Sequence, residues 1–277
     1  MLYFCPKNLN ELGKCLREQN SASAAFLAGG TDIMPPIFDE LKILPGTMID
    51  LKKIDDFKGI REKTREIIIG ALTTVEEILN SEPIRLYFKS LTRAARDFAG
   101  VQIRNRATIG GNICNASPAG DLLPGLYTYD ALIKVWSPDA EYIIPIREFI
   151  LGPGKTSLKS NEIVTSISLE KRDISSIFFK LGLRRAMAIS VVNFAIAYKM
   201  GPDKSFEYLK IAAGSVSPKI ADLEHFSKAV LAGKNPREVI DLVDRDINPI
   251  NDIRASASYR RIVLKNTILE TLENLYV

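Results

Sequence analysis

Two glycine pairs with matching surroundings, Ala28-Gly29-Gly30-Thr31-Asp32 and Thr108-Ile109-Gly110-Gly111-Asn112, constrain this chain more than any other feature. Glycine admits positive φ, and without a Cβ it lets an oxygen come up to the main chain, so consecutive N–H groups can point at one anion. The first pair ends a short apolar run, Ala24 to Ala28, that reads as a strand. The second opens the polar stretch T-I-G-G-N-I-C-N-A-S-P-A-G-D, which ends on Asp121. Two such turns can grip a diphosphate from both sides. A charge-assisted hydrogen bond is worth about 1.5 to 3 kcal/mol, so roughly four or five hold a pyrophosphate without a lysine. Thr31, Thr108, Asn112 and Ser117 add hydroxyl and amide groups, and Asp121 is an acceptor suited to sugar hydroxyls. On the residues alone, a pair of plain turns and a ligand clamp both stand.

Around these turns the periodicity alternates between helix and strand. Asn8-Leu9-Asn10-Glu11 is a capping-box-like start for a helix with Leu9, Leu12 and Leu16 on one face. With a strand at Met48 to Leu51, residues 1 to about 55 form a small α/β unit. Ile67 to Ala71 is a further strand and Thr74-Val75-Glu76-Glu77 a capping box. Ile84, Tyr87, Phe88, Leu91, Ala94, Ala95 and Phe98 recur at helical spacing and predict one helix from Pro83 to Ala99. Strands are expected at 131–136, 142–145 and 163–169. The polar run Lys171 to Ser176 marks a boundary between domains at 1–172 (subdomains about 1–55 and 56–172) and 173–277. Beyond it, Phe178 to Leu183, Val191 to Lys199 and Glu207 to Ala213 suit a three-stranded antiparallel meander, with helices at 223–231, 236–243 and 256–275.

Several kinds of chemistry are missing. No G-x-G-x-x-G fingerprint occurs. Gly152-Pro153-Gly154-Lys155-Thr156 has the tail of a phosphate loop, but Phe149 stands where the leading glycine belongs and Pro153 removes a backbone donor, so a glycine–proline turn is expected. His225 is the only histidine, with no companions for a metal set or a Ser/His/Asp triad, and reads as a solvated or partly packed surface residue. Cys5, Cys15 and Cys114 are odd in number and lack C-x-x-C spacing, as expected of reduced thiols in a cytoplasmic protein without a metal site. The 37 basic and 33 acidic side chains leave a net charge of only +4, scattered along the chain, which argues against nucleic acid as a partner. The N-terminus does not read as a leader, and no apolar run approaches the ~18 residues of a membrane span. No set of residues presents itself as catalytic.

A-G-G-T-D at Ala28 to Asp32 and F-A-G-V-Q-I-R-N-R-A-T-I-G-G-N at Phe98 to Asn112, continuing to S-P-A-G-D at Ser117 to Asp121, resemble the FAD-binding medium subunit of molybdenum hydroxylases, the xanthine dehydrogenase and carbon monoxide dehydrogenase group. L-G-P-G-K-T at Leu151 to Thr156, E-I-V at Glu162 to Val164, Phe179-Lys180, A-A-G-S-V at Ala212 to Val216 and D-I-R-A-S-A-S-Y-R-R at Asp252 to Arg261 look like further landmarks in family order. The resemblance implies an α+β protein with a vanillyl-alcohol-oxidase-type (PCMH-type) FAD-binding fold. Two α/β subdomains clasp the cofactor, and a C-terminal domain has a three-stranded antiparallel sheet and helices. It implies that Leu27, Ala28, Gly29, Gly30, Thr31, Asp32, Ile33 and Met34 wrap the pyrophosphate, and that Thr108, Ile109, Gly110, Gly111 and Asn112 form a second clasp, with Ser117 nearby. Asp121 would bind a sugar or ribityl hydroxyl. Phe98 would lie beside the flavin ring, although it also fits the buried stripe of its helix, and Val164 and Lys180 match further contact positions.

The activity implied is that of an electron-transfer oxidoreductase subunit with no acid or base of its own. Substrate is hydroxylated at a molybdenum-pterin centre in a large subunit, electrons cross two 2Fe–2S clusters in a small subunit, and FAD passes them to an acceptor. Such heterotrimers can pair into a dimer of heterotrimers. Three scattered cysteines leave no place for the 4Fe–4S insertion of some members, and His225 lies far along the chain, so FAD is expected to be non-covalent. Cys114, inside the second clasp, reads as a small packing residue. The rival is a stand-alone flavin oxidoreductase of the same fold, which requires an acid, base or hydride-accepting pocket within this chain.

Overall fold

The computed structural model describes residues 1–18, 24–39, 45–184 and 187–275. The chain folds as two units. Met1–Ser81, Gly100–Ala116 and Ala131–Glu170 make the first; Glu82–Ala99, Ser117–Asp130 and Lys171–Val277 make the second. The first unit begins with β1 (Leu2–Phe4), α1 (Leu9–Glu18), β2 (Ala24–Leu27), α2 (Met34–Phe38) and β3 (Thr47–Asp50). The three strands run parallel in the order β1-β3-β2. Asn8 caps α1 through Glu11 N (2.9 Å), and Glu11 reaches back to Lys7 N (2.9 Å). Leu12, Cys15 and Leu16 then bury against Ile49, Leu51, Ile54 and Phe57.

After β4 (Ile60–Glu62) and β5 (Glu66–Gly70) comes α3 (Val75–Asn80), opened by the capping box of Thr74 and Glu77. Helices α4 (Glu82–Tyr87) and α5 (Lys89–Arg96) belong to the second unit, α6 (Val101–Arg104) and α7 (Ile109–Asn115) to the first, and α8 (Leu122–Thr128) again to the second. The single helix expected from Pro83 to Ala99 is therefore two. At Phe88 the backbone leaves the helical region (φ −130°, ψ 58°), which lets its ring bury edge-on against Tyr129 at 4.8 Å. The chain continues through β6 (Leu132–Trp136), β7 (Glu141–Pro145), α9 (Ile146–Phe149), β8 (Ile150–Gly152), β9 (Lys155–Thr156) and β10 (Ile163–Glu170). Strands β4, β5, β10, β6 and β7 form an antiparallel sheet in that order. The glycine–proline turn is the tip of the β8–β9 hairpin, with Gly154 at φ +65°.

The second unit is built on β11 (Ser175–Gly182), β12 (Ser190–Met200) and β13 (Phe206–Gly214), antiparallel neighbours extended by the two-residue β14 (Ala221–Asp222). Val192, Phe194 and Ile196 of β12 pack with Phe226, Leu264, Ile268 and Leu272 from α10 (Glu224–Leu231) and α12 (Ala257–Glu273). The alternate positions Asn193, Ala195 and Ala197 are small or polar and lie on the other face, where α5 and α8 cover the sheet. The helix expected at 236–243 changes character: α11 (Pro236–Val239) gives way to a 3₁₀ segment, Ile240–Arg245. The tighter winding eclipses residues three apart, so Asp241 and Asp244 both meet the Lys265 ammonium (2.8 and 2.6 Å). Among the described residues no helix is long and apolar enough to cross a membrane.

Arg260 is fully buried in the second unit. It donates to Val191 O (2.5 Å), Ser215 O (3.1 Å) and Asp252 Oδ1 (2.7 Å). Burial works against the Asp252 charge, but Arg254 and Arg260 outweigh it and hold the carboxyl well below the usual range. A depressed folded pKa stabilises fully above the unfolded carboxylate value, about 3.9, and that contribution fades as pH falls below it. Asp252→Asn should therefore lower the unfolding free energy read from urea titration at neutral pH by ~3 kcal/mol, because Arg260 is left uncompensated. The gap to the parent chain should narrow on acidification below about pH 4. A gap that stays constant with pH counts against this pairing.

Candidate functional site

In the first unit the two glycine segments meet. Gly30 sits at φ +78°, where a side chain is strained, and its carbonyl accepts Met34 N (3.1 Å), closing the turn from β2 into α2. Pro35 follows in the first turn of α2, where its missing N–H goes unused. Gly29 is glycine for another reason: a Cβ there would lie 1.8 Å from Arg106 O, in the segment leading to the second pair. Asn115 Nδ2 donates to Asp32 Oδ1 (3.0 Å) and ties the far end of α7 to the first turn.

The second pair forms the first turn of a helix, and its donors are already engaged. A helix leaves its first four N–H groups unpaired. Here Ile109 N donates to Thr73 O (3.0 Å), Gly110 N to Ala71 O (2.9 Å) and Gly111 N to the capping Thr108 Oγ1 (3.1 Å), while Asn112 N to Thr108 O (2.9 Å) is the first bond of the helix itself. Of the backbone donors expected to form a clasp, Ile109 N and Gly110 N thus tie the start of α7 to the segment after β5, and Gly111 N and Asn112 N stay with Thr108. Neither glycine needs positive φ. Gly110 is buried, and a Cβ on it would come within 2.7 Å of Ala71 O; Gly111 is exposed and presents a surface without a side chain. The polar group left over is Asn112 Oδ1, buried without a partner. Cys114 keeps part of its surface, while desolvation of its thiol pushes the pKa up to about 12, so it stays a thiol. Val164 is buried in β10, next to a bulge before Ser166.

In the second unit Asp121, Lys180 and the neighbour of Phe98 come together. Lys180 Nζ donates to Asp121 Oδ2 (2.5 Å) and to Asp97 O (3.0 Å), with under a tenth of either side chain exposed. Asp121 Oδ1 accepts from Ser190 Oγ (2.6 Å) and Asn193 Nδ2 (3.0 Å). Burial pushes the Asp121 carboxyl up, against the opposing pull of Lys180, Ser190 and Asn193. Asp121, the expected acceptor for a sugar hydroxyl, thus takes two protein donors on Oδ1 and one on Oδ2, which leaves Oδ2 a further lone pair, and Lys180 keeps a third N–H. Phe98 lies past the end of α5, half-buried in a turn closed by Ala99 at φ 38°, and is not part of a helical stripe. Ser117 Oγ accepts Ala119 N (3.3 Å) in the loop before α8. Sequence reasoning missed Asn115, Ser190 and Asn193. Asn193 left a legible mark, a single amide inside the apolar run V-V-N-F-A-I-A.

His225 is exposed and pairs with Asp246 (2.6 Å). Among the described residues no three His, Cys, Asp or Glu side chains are placed to hold a metal ion.

These features coincide with a known family. A family model for the FAD binding domain in molybdopterin dehydrogenase matches residues 1–170, and one for the CO dehydrogenase flavoprotein C-terminal domain matches residues 177–275. The chain belongs to the FAD-binding subunits of this molybdenum hydroxylase family. It is 34% identical over 203 residues to the nicotinate dehydrogenase FAD-subunit of Eubacterium barkeri, covering 72% of this chain and 68% of that one. It is 30% identical over 244 residues to the glyceraldehyde dehydrogenase medium chain of Sulfolobus acidocaldarius, covering 86% of each. A chain of the carbon monoxide dehydrogenase from Hydrogenophaga pseudoflava that lacks the Mo-pyranopterin moiety of the molybdenum cofactor superposes with a TM-score of 0.90 at 24% identity, over 98% of this chain and 95% of that one. That likeness establishes the fold.

The residues of the first unit fit a flavin dinucleotide: a glycine turn at Gly30, a bare surface at Gly111, and a buried acceptor at Asn112 Oδ1 lacking a donor such as a ribose or ribityl hydroxyl. Gly29→Ala and Gly110→Ala should each lower stability without FAD by about 3 kcal/mol, because a backbone oxygen must move. Gly111→Ala should cost about 1 kcal/mol through its contact with the capping Thr108 hydroxyl. Thermal unfolding of the FAD-free variants checks the order; an undiminished melting temperature for Gly110→Ala removes the packing role.

Proposed function

We propose that this chain holds FAD non-covalently as the electron-transfer subunit of a molybdenum hydroxylase complex. Its expected partners are a large molybdenum-pterin subunit and a small subunit with 2Fe–2S clusters, and the heterotrimer can pair into a dimer. The observation that carries the reading is the joining of two glycine segments some eighty residues apart, by Gly29 against Arg106 O and by the Asn115–Asp32 hydrogen bond. When bound, FAD supplies the redox chemistry, and the protein supplies position and electrostatics. Leu27 to Met34 is the proposed pyrophosphate wrap, with Thr31 as a polar contact. Thr108 and Asn112 contribute side chains to a second clasp, and Ile109, Gly110 and Gly111 shape it. Phe98, Ser117, Asp121, Lys180 and Val164 are the remaining proposed contacts, Lys180 as donor and Asp121 through it. The domains proposed are 1–172 for FAD and 173–277 for the C-terminal part, in a cytoplasmic protein. Relatives named as FAD-subunits and medium chains support a subunit over a stand-alone flavin enzyme.

Purified chain supplied with FAD should show flavin absorption and release intact FAD on acid treatment, as read by mass spectrometry. A colourless protein under saturating FAD sinks the proposal. Asn115→Ala, which cuts the bridge between the segments, should weaken FAD about tenfold while leaving the second unit folded. Tagged chain expressed with its neighbours should bring down a larger molybdenum-containing and a smaller iron-sulfur chain.

A further inference from the structure

Lys180, Asn193 and Gly214 stand side by side across β11, β12 and β13. Directly opposed residues in a sheet point to the same face, and this face meets Asp121 at the head of α8. Asn193 is fully buried, and its Nδ2 donates to Asp121 Oδ1 (3.0 Å) and Ser190 Oγ (3.2 Å). Its Oδ1 has no partner. Turning the amide over would set that oxygen against a carboxylate, so the charge on Asp121 fixes the orientation and the unpaired acceptor is its consequence. The amide fits because residue 214 is glycine, where a Cβ would lie 2.2 Å from Asn193 Oδ1 and 3.0 Å from Pro118 O. Ser215 follows at φ 64°, with its N donating to Pro118 O (2.8 Å) and its Oγ to Ser190 O (3.0 Å).

An orphaned amide oxygen, a left-handed serine and a buried ion pair each lower stability, and apolar side chains of similar volume would fill the space at less cost. Such an accumulation around one group marks a position held for function. The group is Lys180. Two of its three N–H bonds go to Asp97 O and Asp121 Oδ2, leaving one for a ligand.

We propose that Asn193, with Ser190, is a positioning residue for the cofactor: it locks Asp121 through Oδ1, Asp121 locks the Lys180 ammonium through Oδ2, and the third N–H of Lys180 becomes a fixed donor and a fixed positive charge beside FAD. This rests on the assignment of Lys180 as an FAD contact. A cation held near a flavin favours the form that has gained electrons, so the arrangement raises the midpoint potential as well as affinity.

The test is a double-mutant cycle in the full chain, read by FAD fluorescence quenching and by the flavin midpoint potential. Lys180→Met and Asn193→Ala should each weaken FAD about tenfold and lower the potential. The double variant should be no worse than Lys180→Met alone. If Asn193→Ala keeps its full effect in the Lys180→Met background, or changes neither quantity by itself, Asn193 does not act through Lys180 and the inference is overturned. If Lys180→Met leaves both quantities at parent values, the assignment of Lys180 falls and the inference with it, while FAD retention still stands for the family reading. Should Asn193→Ala fail to fold, Ser190→Ala removes a donor from the same carboxylate oxygen and enters the same cycle with the same expected outcomes.

Discussion

The Lys180–Asp121 pair sets the terms for much of the second unit. An ammonium and a carboxylate taken out of water lose several kcal/mol of hydration each, and their mutual attraction compensates only when the remaining lone pairs and protons also find partners. That requirement reaches far along the chain. It calls for a carbonyl at Asp97, a hydroxyl at Ser190 and an amide at Asn193. The amide in turn calls for a glycine at 214. Ser190 and Val191 are anchored through their carbonyls by Ser215 and the buried Arg260, which is itself neutralised by Asp252. Three stretches that look unrelated in sequence, S-P-A-G-D, A-A-G-S-V and D-I-R-A-S-A-S-Y-R-R, are thus successive shells around one ion pair.

In the first unit the same sequence token, a glycine pair, serves different physics at each position. Gly30 is there for its positive φ, Gly29 and Gly110 because another main chain passes within contact distance, and Gly111 because the surface beyond it is left bare. A helix N-terminus facing a phosphate is the usual interpretation of a glycine-rich strand-to-helix turn, yet the four leading amides of α7 are bound to Ala71, Thr73 and Thr108. What α7 leaves open at its start is the bare surface at Gly111, beside the half-buried Asn112.

Much of this was legible in the sequence wherever the signal is local. The Asn8 cap, the capping box at Thr74, the apolar runs of β5, β10 and β12, and the meander of the second unit follow from spacing alone. The family was carried by the motifs. The illegible parts are those decided by distant partners. Phe88 is in phase with the stripe of a continuous helix, and only its contact with Tyr129, forty-one positions on, makes the chain break there. The network around Asp121 left no trace because its three donors come from residues 59 to 72 positions later. Hydrogen-bond partners of this kind leave no periodic trace.

The two units also differ in how a change would be felt. In the first, the glycines act sterically, so a substitution shifts backbone and is read as lost packing whatever the ligand state. In the second, the network acts electrostatically: removing one member leaves the others buried and mispaired, and the disturbance passes to the one ammonium with a donor to spare. A change in the first unit is thus felt as shape and one in the second as charge.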